Sequence, residues 1–456
     1  MSAPADKTPL WSSKLAVYLA AAGAAVGLGS VWRFPYLAGT SGGSAFILVF
    51  VVACLLIATP QVAAELALGR RSRVSPPEAA GTVAVAAGHS RYWNVIGILG
   101  TVSAYILFSY YTVIAGWVLA YTWKCAAGIL AAAGPHGVEP LWSRFLANPL
   151  ELGAWHAAFV MLVMVISARG LQRGIEPANK VRGPALLALL CILVIYSLTT
   201  GDVRRGLTFA FKPNFASLNA QVVLAAVGQA FYATGAGQAM MLAYGAYIGR
   251  GTSVVRTSLV ITASILVVSI LSTLMIFPLV FGYGLNPAEG PELVFKVLAR
   301  VFTEMPGGRA VGALFFLLLV LAALMPSIAA LEAPVAWLIQ RFRLGRGAAV
   351  AVAGGSAWVL GIASVLSFNR WSAWHPLGFL PIFAHKTIFD VFDYSTANIL
   401  LPAGVFLTSI FVGWRVSDLF ADEPAGTGSF ARGACLWLLR ILVPIAILWI
   451  FIATLM

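Results

Sequence analysis

Long apolar runs dominate the chain, separated by short polar breaks rich in glycine and proline. A run of roughly 20 apolar residues is enough to cross a bilayer as a helix. The pattern predicts about eleven such spans, near 14–36, 42–69, 92–124, 152–168, 184–200, 219–248, 257–284, 308–340, 347–367, 388–415 and 432–455. On one side, the longer connections 125–151, 285–307 and 368–387 carry Trp142, Trp371, Trp374 and Pro376, and suit loops that cap a vestibule.

Two of the runs are interrupted. Gly23, Gly27 and Gly29, followed by Arg33 and Pro35, fall inside the first. Glycine weakens a helix, and unwound backbone at membrane depth is tolerated only where it is buried in protein or lines a cavity. Gly235 and Gly237, between Gln229 and Gln238, interrupt the sixth run. Either stretch alone also fits close helix packing. Both together, five spans apart, form the pattern of transporters built from an inverted repeat, in which substrate sits where the broken helices meet. The expected fold is an all-α integral membrane protein with a 5+5 repeat and broken helices 1 and 6. Residues 14–200 would form the first repeat, 219–415 the second and 432–455 an extra helix, in one domain over 1–456.

Composition narrows the class. The chain is 60% hydrophobic and 10% charged, with a mean hydropathy of +0.91, whereas soluble domains are about 25% charged. The net charge of +13 is the loop lysine and arginine excess of a membrane protein, not a nucleic-acid footprint. Arg70, Arg71, Arg73, Arg169, Arg173, Lys180, Arg182 and Arg346 are assigned to loops on one side. That side is the cytoplasm by the positive-inside rule, so the N terminus is inside and an odd number of spans puts the C terminus outside. The four cysteines and five histidines have no metal-ligand spacing. Without paired carboxylates or a Ser–His arrangement, an enzyme is not expected.

Several strings carry a family resemblance: Trp11, GAAVGLGSVWRFP from Gly23, Gly42-Gly43 with Phe46, ELALGRR from Glu65, and Tyr110-Tyr111. Others are GIEPANK from Gly174, GQAFYATGAG from Gly228, PSIAALE from Pro326 and FDVFDYSTANILLP from Phe389. In these the chain resembles the neurotransmitter:sodium symporter family, bacterial branch, with the leucine-transporter fold. The resemblance implies that the substrate's amino and carboxylate groups meet the backbone around Ala25, Leu28, Gly29, Tyr232, Ala233 and Gly235, with the Tyr111 hydroxyl on the carboxylate. Gly27 stands where amine carriers place an aspartate, which implies an amino-acid substrate. Leu107, Tyr232, Gly235, Ala236, Gln238, Pro326 and Ala330 would line the side-chain pocket. Their small members imply a larger or hydrophobic neutral amino acid. Arg33 and Asp393 match an outer gate with Tyr232 as lid, and Trp11 and Tyr247 match inner gating aromatics. The inner ionic pair falls on Thr8 and Gln340, so it is absent or rebuilt.

The family's sodium sites are altered. The side-chain ligands of the first become Ser30, Ala233 and Ile265. Gly23, Val26 and Ala322 can still offer carbonyls to the second, but its hydroxyl positions become Met325 and Pro326. Sodium needs several oxygens, and these side chains supply none. Chloride is not expected either, because Phe50 replaces a tyrosine, although Gln229 and Ser269 remain. Arg182 or Lys180 would then either place a fixed charge near Gly23, Val26 and Pro326, or snorkel to the interface from the end of a span. Glu65 and Glu332 are read as structural hydrogen-bonding groups. The function implied is alternating-access transport of a neutral amino acid across a bacterial cytoplasmic membrane, with sodium coupling weakened or lost. A conventional sodium symporter with a degraded second site and a non-transporting amino-acid sensor are the alternatives. The implied partners are the small-molecule substrate and the lipid bilayer; the oligomeric state is left open.

Overall fold

The computed structural model of the protein describes residues 10–249, 251–288, 294–424 and 428–455, which are helical with no strand among them. The spanning elements are α1 (Lys14–Ala25), α2 (Gly29–Thr40), α3 (Ser44–Ser72), α4 (Arg91–Ala126), α5 (Pro149–Ala168) and α6 (Leu171–Thr200). They continue with α7 (Ala220–Thr234), α8 (Met240–Ala246), α9 (Val254–Gly282), α10 (Gly308–Phe342), α11 (Arg346–Ser367), α12 (Ile388–Arg415) and α13 (Ser429–Ile452). Nine of these helices are individually long and apolar enough to span, and α1 with α2 forms a tenth span bent by 52°. The short pair α7 and α8 occupies the predicted sixth run.

Burial sorts the helices. In the most apolar windows of α4 and α10, 72% and 78% of residues are buried, against 33% for α5, α6 and α13. The first pair therefore forms the interior of the bundle and the others its lipid-facing side. α4 and α10 also pack on each other more extensively than any other pair of elements.

Both predicted breaks are present. Helix α1 starts at Ser13, whose side chain accepts from the Ala16 N–H, and ends at Val26, which turns extended at ψ 96°. Helix α7 ends at Gly235 with φ 64°, and Ala239 precedes α8 with φ 55°. A left-handed conformation favours glycine. Ala239, which has a Cβ, therefore holds strain that its buried surroundings must offset.

Two expectations are corrected. The fifth span does not begin at 184: α6 is helical from Leu171 and carries Pro184 inside it. Arg182 is thus in a helix rather than a loop, on the face that also buries Asn179, Leu186 and Leu190. The connections 125–151 and 285–307 are not simple loops. The first holds a helix over Ile129–Ala147, and the second is helical over 294–304. Trp142 of the first stacks on Phe295 of the second, with centroids 4.8 Å apart, and Trp117 of α4 meets both edge-on.

Close approach between α3 and α8 depends on glycine. A Cβ on Gly69 would lie 2.1 Å from the Leu242 carbonyl oxygen. Gly69→Ala is expected to lower stability by about 1–3 kcal/mol through overpacking. Gly183→Ala, with nothing within 4 Å of its Cβ, should leave stability unchanged or raise it. Thermal unfolding of both variants in detergent checks the contrast; equal midpoints would contradict the packing.

Candidate substrate and ion site

The last carbonyls of a helix lack intrahelical partners, and the break after α1 leaves those of Gly23 and Val26 facing inward. The guanidinium of Arg182 fills this position. Its Nη1 donates to the Gly23 carbonyl at 3.1 Å, Nη2 to the Val26 carbonyl at 2.5 Å and Nε to the Leu321 carbonyl at 2.7 Å. Nη1 also reaches Asn179 Oδ1 at 3.4 Å. Four of the five donors of a guanidinium are therefore satisfied. Arg182 is 3% exposed, and among the described ion pairs none links it to a carboxylate. An unpaired buried charge is costly; here neutral carbonyl oxygens surround it as they would a bound metal cation. The α10 carbonyl involved belongs to Leu321, one residue before the predicted Ala322. Lys180 points away, with its side chain 55% exposed and its Nζ 3.7 Å from Glu176.

These residues do not fit a second sodium ion. Two of the carbonyls that would coordinate it, those of Gly23 and Val26, already accept from Arg182, and Met325 and Pro326 contribute no side-chain oxygen. At the first site, the Ser30 hydroxyl is buried without a partner among the described residues. Ala233 and Ile265, the other two predicted positions, are buried and have no side-chain oxygen.

Between the two breaks lies a cavity of about 30 Å³. Ala25, Gly27 and Gly29 line one side, Tyr232, Ala233, Gly235 and Gln238 the other, with Leu107, Tyr111 and Pro326 closing it. Ala24 and Met240 also line it. Neither is among the predicted residues, although both lie within a turn of a predicted break. Leu28 contributes through its backbone N–H, which donates to the Tyr111 hydroxyl at 3.3 Å. Ala236 and Ala330 are buried but are not among the lining residues. Gly27 must be small: a Cβ there would lie 2.6 Å from Pro326 Cγ and 3.3 Å from the Tyr111 hydroxyl.

Glu65 holds the second break. Its Oε1 accepts from the Gly237 N–H at 2.6 Å and from Gln61 Nε2 at 3.1 Å. Gln229 ties the two breaks together by donating to the Gly29 carbonyl at 2.6 Å.

The closures above and below differ in kind. Above the cavity the Arg33 guanidinium lies 4.0 Å over the Tyr232 ring, and its Nε donates to the Tyr36 hydroxyl at 3.3 Å. Asp393, half-buried on α12, forms no ion pair with Arg33 among the described contacts. Below the cavity the Trp11 N–H donates to the Tyr247 carbonyl at 3.2 Å, and the Trp11 ring lies 5.5 Å from Tyr244 and 6.3 Å from Tyr247. The Tyr247 hydroxyl donates to Glu332 at 2.7 Å, and Arg346 forks onto both oxygens of Glu332 at 3.0 and 2.7 Å. Arg346 was assigned to a loop, and its spacing of 14 residues from Glu332 across a helix turn gave no sign of this pair. Gln340 instead bonds Glu78 at 2.7 Å and the Ser75 N–H at 2.6 Å. Thr8 lies outside the described residues.

A cavity between two broken helices, roofed and floored by aromatic and charged groups, defines a membrane carrier of the inverted-repeat kind. Residues 8–134 and 150–456 match the model described as the sodium:neurotransmitter symporter family, and the chain belongs to that family. It is 33% identical to the uncharacterized sodium-dependent transporter YhdH of Bacillus subtilis, over 98% of each chain. It is 29% identical to the sodium-dependent neutral amino acid transporter B(0)AT2 of Bos taurus, over 64% of this chain and 44% of that one. The crystal structure of MhsT in complex with L-phenylalanine superposes with a TM-score of 0.88 at 36% identity, covering 98% of this chain and 99% of that one.

Glu65→Ala removes the acceptor of the Gly237 N–H and should cost about 1–3 kcal/mol, whereas Glu65→Gln, which keeps an oxygen there, should cost less. Thermal unfolding of both variants checks the order; a reversed order would mean that the carboxylate does not support the break.

Proposed function

We propose that the protein carries a neutral amino acid across a bacterial cytoplasmic membrane by alternating access, with the Arg182 guanidinium permanently taking the place of a coupling cation at the first break. The observation that carries this reading is the triple bond set from Arg182 to the carbonyls of Gly23, Val26 and Leu321. The substrate's carboxylate would lie against the Leu28 and Gly29 amides and the Tyr111 hydroxyl, where a helix N-terminus favours an anion. Gly27 brings no acidic side chain that would repel that group, and the phenylalanine bound by MhsT supports the substrate class. Arg33 with Tyr232, and Trp11 with Tyr247, would close the two sides in turn. The positive-inside distribution supports a cytoplasmic N terminus.

Arginine keeps its proton at any ordinary pH. The tethered charge therefore neither leaves with the substrate nor delivers energy from an ion gradient, which favours exchange or uniport. The names of the sodium-dependent relatives favour a second reading, a sodium symporter. Uptake of amino acids into proteoliposomes with sodium, potassium or choline as the only cation separates the two. Equal uptake in all three is expected, and Arg182→Leu should reduce it at least about tenfold, since breaking a buried charged network costs several kcal/mol. Uptake that requires sodium, or an Arg182→Leu variant with unchanged uptake, would overturn the proposal.

A further inference from the structure

The cavity contains one polar side chain that its own walls do not use. Gln238 lines it, is 1% exposed, and its Nε2 has no hydrogen-bond partner among the described residues. It lies beside Gly235, and Gly235 and Met240 line the cavity with it. A Cβ on Gly235 would come 3.2 Å from Met240 Sδ and 3.9 Å from Gln238 Oε1. Gly235 therefore keeps the space in front of the carboxamide clear. Leu107, Met240 and Pro326, which also line the cavity, offer a neutral amide nothing beyond a weak thioether acceptor.

A buried amide without a partner is costly, whereas an apolar residue of similar size in its place is nearly neutral. A site that served a purely aliphatic or phenyl side chain would gain nothing from glutamine here. We infer that Gln238 is the specificity-determining residue of this cavity, and that the substrate is a neutral amino acid carrying a hydrogen-bonding group on its side chain, such as a phenol or a carboxamide. A primary carboxamide offers both N–H donors and an oxygen acceptor, so it can serve either group by turning over. A site built around such a bond discriminates more sharply than an apolar one, because the analogue lacking the group leaves the protein's own polar atom unpaired.

This assignment rests on the amino-acid carrier reading above, and the test separates the two. Ligand-induced thermal stabilisation of the full-length protein in detergent is titrated with matched pairs, tyrosine against phenylalanine and glutamine against methionine. The polar member of each pair is expected to bind at least about tenfold more tightly, the factor that about 1.4 kcal/mol represents and that lies within the cost of an unsatisfied buried amide. Gln238→Leu should abolish or reverse the preference while still binding phenylalanine. Wild-type protein that binds both members of each pair equally would overturn the assignment and leave the carrier reading standing. So would a Gln238→Leu variant that keeps the wild-type preference. Wild-type protein that no amino acid stabilises would overturn both. The wild-type comparison decides even if the leucine variant does not fold.

Discussion

The arrangement depends on one buried charge. The Arg182 guanidinium enters from α6 and accepts its solvation from the carbonyls of Gly23 and Val26, at the end of α1, and of Leu321 on α10. In a bilayer neither side of this contact can turn to water. The carbonyls need donors because the helix has ended, and the arginine needs acceptors because it is charged. Each satisfies the other, and three helices are fixed in the process. Gly23 is part of the same fit: a Cβ there would collide with the Asn179 carboxamide at 2.2 Å, and Asn179 in turn accepts from Arg182.

The second break is stabilised by the opposite charge. Between the end of α7 and the start of α8 the backbone N–H groups lack helical partners, and the Glu65 carboxyl group takes that of Gly237. One break thus turns carbonyls toward the Arg182 guanidinium and the other a backbone N–H toward the Glu65 carboxyl group. Between them lies a cavity whose own walls leave little unpaired except the Gln238 amide. Gln229, donating across to the Gly29 carbonyl, keeps the two breaks in register.

Much of this was legible in the sequence because it follows from residue types that a membrane tolerates poorly. Glycines at mid-span marked both breaks, and the replacement of hydroxyls by Met325 and Pro326 marked the altered ion site. What stayed hidden depended on facing. Hydropathy sees Glu176, Lys180, Arg182 and Pro184 as a polar stretch and predicts a loop. The structure continues α6 through them and turns Arg182 inward while Lys180 faces out. Two residues apart on a helix, they face different surroundings, and no count of charges distinguishes them. The Glu332–Arg346 pair was invisible for a similar reason: α10 must end and the chain reverse before the two side chains meet.

The two closures around the cavity are energetically unequal. On the inner side, Glu332 accepts a forked pair of bonds from Arg346 and one from Tyr247 while 1% exposed. Breaking such a buried charged group apart costs about 3–5 kcal/mol. On the outer side, Arg33 rests on the face of Tyr232 and touches Tyr36, and a cation–π contact contributes about 0.5–2 kcal/mol. Without a direct Arg33–Asp393 pair, the outer cover is held by the weaker contacts. Of the two covers, the one built on Glu332 is therefore the more strongly bonded in this conformation.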